Sequence, residues 1–449
     1  MPDYIPHTEA ETAEMLSFIG LSSLDELFDA VPAALRLAGG LDLPGGLSEP
    51  DTSAEMGRLA GANAAADLIC FAGAGAYDHE IPAAVRSLAS RSEFVTAYTP
   101  YQPEVAQGVL QALFEYQTLI SRIAGVPVAN ASLYDGASAC VEAVNLAVAA
   151  TRRETVWVSQ GVHPNWRAVM RTFAAGTGHD LVEIPLIDGV TAWPGGDIGA
   201  NTTSGEEPAA VLLQYPNYLG CLEDVEAAVA TARRRGALVL VAFDPVAAGL
   251  LRTPGSYGAD VVVGEGQPFG TPMSFGGPYL GLFACTMEHV RRLPGRLVGE
   301  TLDTEGRRAY VTTLRTREQD IRREKASSNV CTNQTLIAVT CAIQLAWLGT
   351  SGLRELALRC ARGTRYAREA LLAIDGVEPL VSAPVLREFA VRLPVAADVV
   401  VERLAEEGFL AGAPLAGEEY GDGLLVAVTE RRTRAQIDDY VAAFEKAVR

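Results

Sequence analysis

From about residue 61 to residue 300 the chain alternates short apolar runs with longer amphipathic ones. Runs at 155–159, 180–184, 211–215, 237–243, 260–263 and 280–284 are apolar and rich in β-branched residues. Such runs predict short strands in a sheet covered on both faces. Between and before them, 53–65, 81–89, 104–124, 137–150, 163–174 and 224–235 carry helical periodicity. In 104–124 the apolar residues Val105, Val109, Leu113, Tyr116, Ile120 and Ile123 recur near the 3.6-residue repeat. Strands alternating with helices require crossovers, so the pattern predicts a mostly parallel, doubly wound α/β sheet.

The two ends read differently. Residues 1–60 suggest short, interrupted helices: 6–20 with an apolar face at Met15, Leu16 and Ile19, then 22–28 behind a capping serine. This predicts an N-terminal helical arm that packs on something larger. Beyond 310 two long helical patterns, 319–349 and 353–374, flank a break at 349–352. Strand-like pieces within 379–393, a helix over 397–407, a strand over 423–428 and a helix over 433–448 follow. The expected organisation is an arm (1–60), a large α/β domain (61–310) and a C-terminal α+β small domain (311–449).

Composition narrows the function classes. A chain of 449 residues exceeds the size at which one core keeps growing. A net charge of −19 argues against nucleic acid or an anionic membrane as the main partner. Apolar stretches are interrupted before the roughly 20 residues that a membrane span needs, and the acidic start lacks a charged-then-apolar leader. The expectation is a soluble cytoplasmic protein. The seven cysteines form no CxxC pair and read as core thiols of a reducing compartment. Five histidines without paired-ligand spacing argue against a metal site.

The chemistry-bearing segments lie at strand ends. The apolar run ALVLVAF ends in Asp244. An aspartate there either pairs with a pyridinium nitrogen, strengthening that ring as an electron sink, or turns the chain at Pro245. The segment 132–138 precedes a helix whose exposed N–H groups make an anion site. There Ser138 and the Gly136 backbone are candidates to hold a phosphate, and Asp135 or Ser132 capping is the alternative. A GxG element at 71–79 lacks the third glycine of a nucleotide-binding loop. The stiff run 96–104, with Tyr98, Thr99, Tyr101 and Gln102, suits a binding loop or a packing corner. The basic run 315–325 suits a salt-bridged helix face or an anion grip.

Lysine is the telling absence. The chain has only Lys325 and Lys446 among its 36 basic residues. Enzymes built on pyridoxal phosphate (PLP) often place a Schiff-base lysine just after the strand that follows such an aspartate. Here 261–269 reads VVVGEGQPF, with Gln267 and Pro268 near that place. The sequence looks like a cofactor-enzyme fold without its covalent anchor; a displaced anchor at Lys325 is the alternative.

Long stretches at 77–108, 128–139, 258–281, 294–301 and 316–334, among them YDHEIPAAVRSLASRSEFVTAYTPYQPEVAQG and GADVVVGEGQPFGTPMSFGGPYLG, resemble the alpha subunits of two-chain glycine dehydrogenases, the P-proteins of the glycine-cleavage system. The resemblance runs end to end. It implies the aspartate-aminotransferase-like PLP fold (fold type I) and an α2β2 heterotetramer with PLP held covalently by the beta subunit. That enzyme decarboxylates glycine and passes the aminomethyl group to the lipoyl arm of the H-protein. It further implies that this chain has no catalytic lysine, that Ser138 and Asp244 are relics of a cofactor pocket, and that Tyr98, Thr99, Tyr101, Gln102 and Gln267 are candidates to complete the partner's active site. A self-sufficient PLP enzyme using Lys325 and a purely structural paralogue are the alternatives.

Overall fold

The computed structural model describes residues 6–37, 41–96, 99–194, 207–274, 276–317, 319–415, 417 and 420–449. They divide into two units, one ending at Ala66 and one running from Asp67 to Arg449. In the first unit, helix Glu9–Phe18 opens on a reciprocal cap between Thr8 and Glu11. Helix Glu49–Gly61 starts earlier than the expected 53, because Ser48 caps it and Pro50 sits in the first turn, where no N–H is needed. Of this unit's described side chains only Leu16 is buried. One buried side chain makes no core.

The second unit is organised by a seven-stranded sheet. In spatial order its strands are Val128–Ala129, Gly281–Cys285, Val261–Glu265, Leu238–Phe243, Ala210–Tyr215, Thr155–Ser159 and Asp180–Ile184. The last five in that order run parallel, and Gly281–Cys285 is antiparallel to both of its neighbours. The apolar runs are continuous because both faces are covered. Val211, Leu213, Val239 and Val241 point into one core with helix Gln107–Ala124. Ala210, Leu212, Leu240 and Ala242 point into the other with helix Gly136–Thr151.

Helix Gln107–Ala124 begins later than the periodicity predicts. Pro103–Val105 forms a separate 3-10 turn, and Val105 is exposed instead of joining the stripe. Val109, Leu113, Tyr116 and Ile120 are buried as the pattern requires.

A four-stranded antiparallel sheet, Glu378–Pro379, Glu388–Arg392, Gly423–Ala427 and Ala413–Pro414, forms a second centre. Helices Ala397–Glu406 and Arg434–Ala447 contribute to its core, where Phe71 stacks on Tyr440 at 3.9 Å. Phe71 reaches it because Ile69–Cys70 pairs parallel with Phe409–Leu410.

The pattern over 319–349 misleads at its start. Only short turns occupy Gln319–Arg322 and Arg323–Lys325; the long helix is Thr335–Leu371. Asn333 and Gln334 are bound to Ala131 and Ser132, which holds the preceding residues out of a helix. Gly349 breaks the long helix at φ 60, as the sequence predicts. By length and composition alone this helix could cross a membrane, but the break at Gly349 interrupts its apolar stretch. It packs against helices Gln107–Ala124 and Ala83–Ala89.

Candidate functional site

Strand Leu238–Phe243 delivers Asp244, and strand Val261–Glu265 delivers Glu265, which meets the Gly136 N–H at the start of helix Gly136–Thr151. The carboxyl ends of strands are where doubly wound sheets bind ligands. Each polar group here has a partner from the chain itself.

Asp244 accepts the Val246 N–H at 2.9 Å, so it does turn the chain at Pro245. Its other oxygen meets Nε of Arg387 at 2.6 Å. Arg387 is buried, its guanidinium carbon lies 3.6 Å from the Tyr77 ring centre, and Nη1 lies 2.6 Å from Nε2 of His79. A guanidinium only donates, so Nε2 accepts and Nδ1 donates to Glu430 at 2.7 Å. Cys360 is also within ligating reach of His79 and Glu430, but both ring nitrogens are engaged. Burial works against the charge of Arg387, while Asp244, Tyr77, Cys360 and Glu388 favour it and leave its pKa above the ordinary value.

Glu265 takes the anion position. Its carboxylate accepts N–H bonds from Gly136 at 2.9 Å, Gln267 at 2.9 Å and Leu280 at 2.8 Å. Burial pushes its pKa up to about 8, against the lowering by those three donors. Asp135 caps the helix through the Ser138 N–H at 2.6 Å. The capping alternative therefore holds, and the Gly136 N–H is already used.

The GxG element borders the same pocket. Ala74 and Gly75 both have positive φ, 57° and 100°. A Cβ on Gly75 would meet the His163 ring at 2.8 Å. His163 donates from Nε2 to the Ala74 carbonyl at 2.7 Å, and burial lowers its pKa. Glu388 accepts the Ala74 N–H at 2.6 Å and the Tyr77 hydroxyl at 2.8 Å; burial pushes its pKa up to about 7.

Gln267 is 1% exposed. It donates to the carbonyls of Tyr77 and Thr271 and accepts the Tyr77 N–H, so its amide binds within the chain. Phe269 is fully buried as well. The stretch 264–269 is buried within the chain.

What remains open among Asp244, Glu265, His163, Trp166, Tyr77 and Arg387 is about 40 Å³. Small-molecule sites are typically about 300 Å³ or more. With Asp244 paired, the Gly136 N–H taken and no lysine at 261–269, the residues present do not fit PLP. Lys325 lies elsewhere: it borders a separate cavity of about 230 Å³ with Arg291 and Arg322.

The 96–104 loop faces different surroundings. Tyr101 is 52% exposed, with the guanidinium carbons of Arg296 and Arg315 at 5.5 and 5.4 Å from its ring centre. It borders a groove of about 380 Å³ with Arg296, Arg323 and Cys331. Gln102 is exposed, and Thr99 borders a separate cavity of about 700 Å³ with Arg91 and Phe94. Tyr98 lies outside the described residues. Sequence reasoning missed Arg387, Tyr77, Glu265, His163 and Glu388. One signal was available: Arg387-Glu388 sets two charges at the head of an apolar strand.

The model of the family described as glycine cleavage system P-protein matches residues 2–444. A probable glycine dehydrogenase (decarboxylating) subunit 1 of Desulforamulus reducens is 46% identical over 97% of both chains. The like-named protein of Prosthecochloris aestuarii is 48% identical over 98% of both. A crystal structure of glycine decarboxylase (P-protein) of the glycine cleavage system, in inhibitor-bound form, superposes with a TM-score of 0.91 at 46% identity, covering 99% of this chain and 100% of that one. A Lactobacillus brevis glutamate decarboxylase, 12% identical with a TM-score of 0.64 over 95% of this chain and 96% of its own, shares the fold alone. The architecture is that of fold-type-I PLP enzymes. By sequence, length and fold, this chain belongs to the glycine cleavage system P-protein family.

Proposed function

We propose that this chain is the subunit of a glycine-decarboxylating enzyme that does not anchor the cofactor, and that a beta partner carries PLP on its own lysine. The carrying observation is the Asp244 pocket, where Arg387 is already the counter-ion and about 40 Å³ is left. The two chains form a cytoplasmic α2β2 enzyme that passes the aminomethyl group of glycine to a lipoylated H-protein. When bound to the partner, PLP supplies the electron sink for loss of the carboxyl group.

In this reading the chain assembles the enzyme and completes the partner's site through the exposed residues Tyr101 and Gln102, with Thr99 and Tyr98 of the same loop. Exposed apolar side chains of the first unit, such as Phe18 and Leu35, supply surface for the assembly. The domain limits near 60 and 310 belong to the same reading.

The test is purification alone and with a beta subunit. Alone, the chain is expected to show no visible cofactor absorbance, no borohydride-trapped adduct and no glycine–CO2 exchange. The pair is expected to show all three. A trapped adduct on Lys325 would overturn the assignment.

A further inference from the structure

We propose that this chain is its own ligand at the Asp244 pocket. The Arg387 guanidinium serves as the counter-cation that a pyridinium ring would provide, and the Glu265 carboxyl group occupies the helix start that would receive a phosphate. These two side chains keep the pocket shut, whichever chain carries the cofactor.

The chemistry of the replacements matches. A guanidinium is planar, delocalised and cationic, stacks on aromatic faces and donates in fixed directions. Arg387 does each of these, with Tyr77 at 3.6 Å, Asp244 at 2.6 Å and His79 at 2.6 Å. A carboxylate accepting backbone N–H groups at a helix start is the protein's own version of an anion ligand. Glu265 accepts three.

The two replacements are joined. Gln267 gives its N–H to Glu265 and its amide to the backbone of Tyr77, whose ring covers Arg387. Arg387 itself heads strand Glu388–Arg392, so the seal also ties that second sheet to the end of the large one. Removing the guanidinium leaves the Asp244 carboxylate buried opposite a vacant, flat space beside an aromatic ring. That space has the shape and charge of a site for small planar cations bearing an N–H.

The test is Arg387→Ala in the intact chain, purified with its partner. Thermal unfolding is expected to fall by roughly 5 °C or more, as for a broken buried ion pair. Millimolar ethylguanidinium is expected to restore at least half of that loss, saturably, with no effect on the parent protein. Tetramethylammonium, which has charge but no N–H, is expected to restore nothing. An unchanged melting temperature, no rescue by ethylguanidinium, or equal rescue by tetramethylammonium overturns the proposal.

Should that variant not fold, Arg387→Lys keeps the cation but cannot reach Asp244 and His79 together. It is expected to melt below the parent, and equal stability counts against the proposal. In the parent assembly, bound pyridoxal phosphate should stay at one equivalent per pair of chains. A second, non-covalent equivalent overturns the sealed pocket alone, whereas a reducible adduct on Lys325 overturns the cofactor's assignment to the partner.

Discussion

The pocket at Asp244 and the groove at Tyr101 are opposites. In the pocket, Asp244, Arg387, His79 and Glu265 are each bonded to another part of the same chain, and almost no space is left. At the groove, Tyr101 stands half exposed; Arg296 is bonded to Asn333 and Arg315 to Asp320, while Arg323 and the exposed Cys331 border the same space. Arg323 holds a positive φ of 53°, and no described acidic side chain pairs with it. Charge satisfied inside the chain contributes to stability; charge left open at a surface is available to a partner. The difference places structural work in the Asp244 pocket, and the proposed function assigns recognition to the Tyr101 rim.

The largest test of this contrast is Asp244→Ala. It strands the buried Arg387 and should cost roughly 3–5 kcal/mol of stability. Urea unfolding measures it, and a loss below about 1 kcal/mol would erase the distinction between the regions.

Glu142 probes the boundary between them, because it lies in helix Gly136–Thr151 and bonds Ser328 beside the basic run. Burial raises its pKa to about 7 from an ordinary 4.5. Between those values the folded state keeps a proton that the unfolded state has lost, so stability falls as pH rises through that window. Glu142→Gln should match the parent near pH 4 and exceed it by about 3 kcal/mol at pH 8. Equal stability at both pH values would show that Glu142 ionises freely.

Gly75→Ala forces a side chain toward His163 at a φ of 100°, and about 1–2 kcal/mol should be lost. No change would mean that the Gly75–His163 contact is not tightly packed. Tyr101→Ala should be the smallest in stability, within about 0.5 kcal/mol. Glycine turnover by the assembled enzyme should nonetheless fall by about tenfold, near 1.4 kcal/mol. A variant that loses stability but keeps turnover would reverse the contrast.

How much of this was legible depended on locality. The strands 155–159 and 180–184 follow from apolar runs between turn residues, and Gly349 announced its own break. Val105 fits the periodicity, but Ala106 has a non-helical backbone (φ −124°, ψ 19°) that separates it from the helix, so pattern alone misplaced the helix start. Asp135 was legible as a cap because its partner is three residues away. The bonding of Gln267 was not legible, because its partner Tyr77 lies 190 residues earlier.

The sequence by itself determined the alternation of buried strands and amphipathic helices, the missing lysine after Val261–Val263, and the family, since these are written in consecutive residues. Only the tertiary structure decided what fills the vacancy. Arg387 is 143 residues from Asp244 and 308 from His79. Their meeting depends on two sheets being brought together, and no local pattern of side chains encodes that approach.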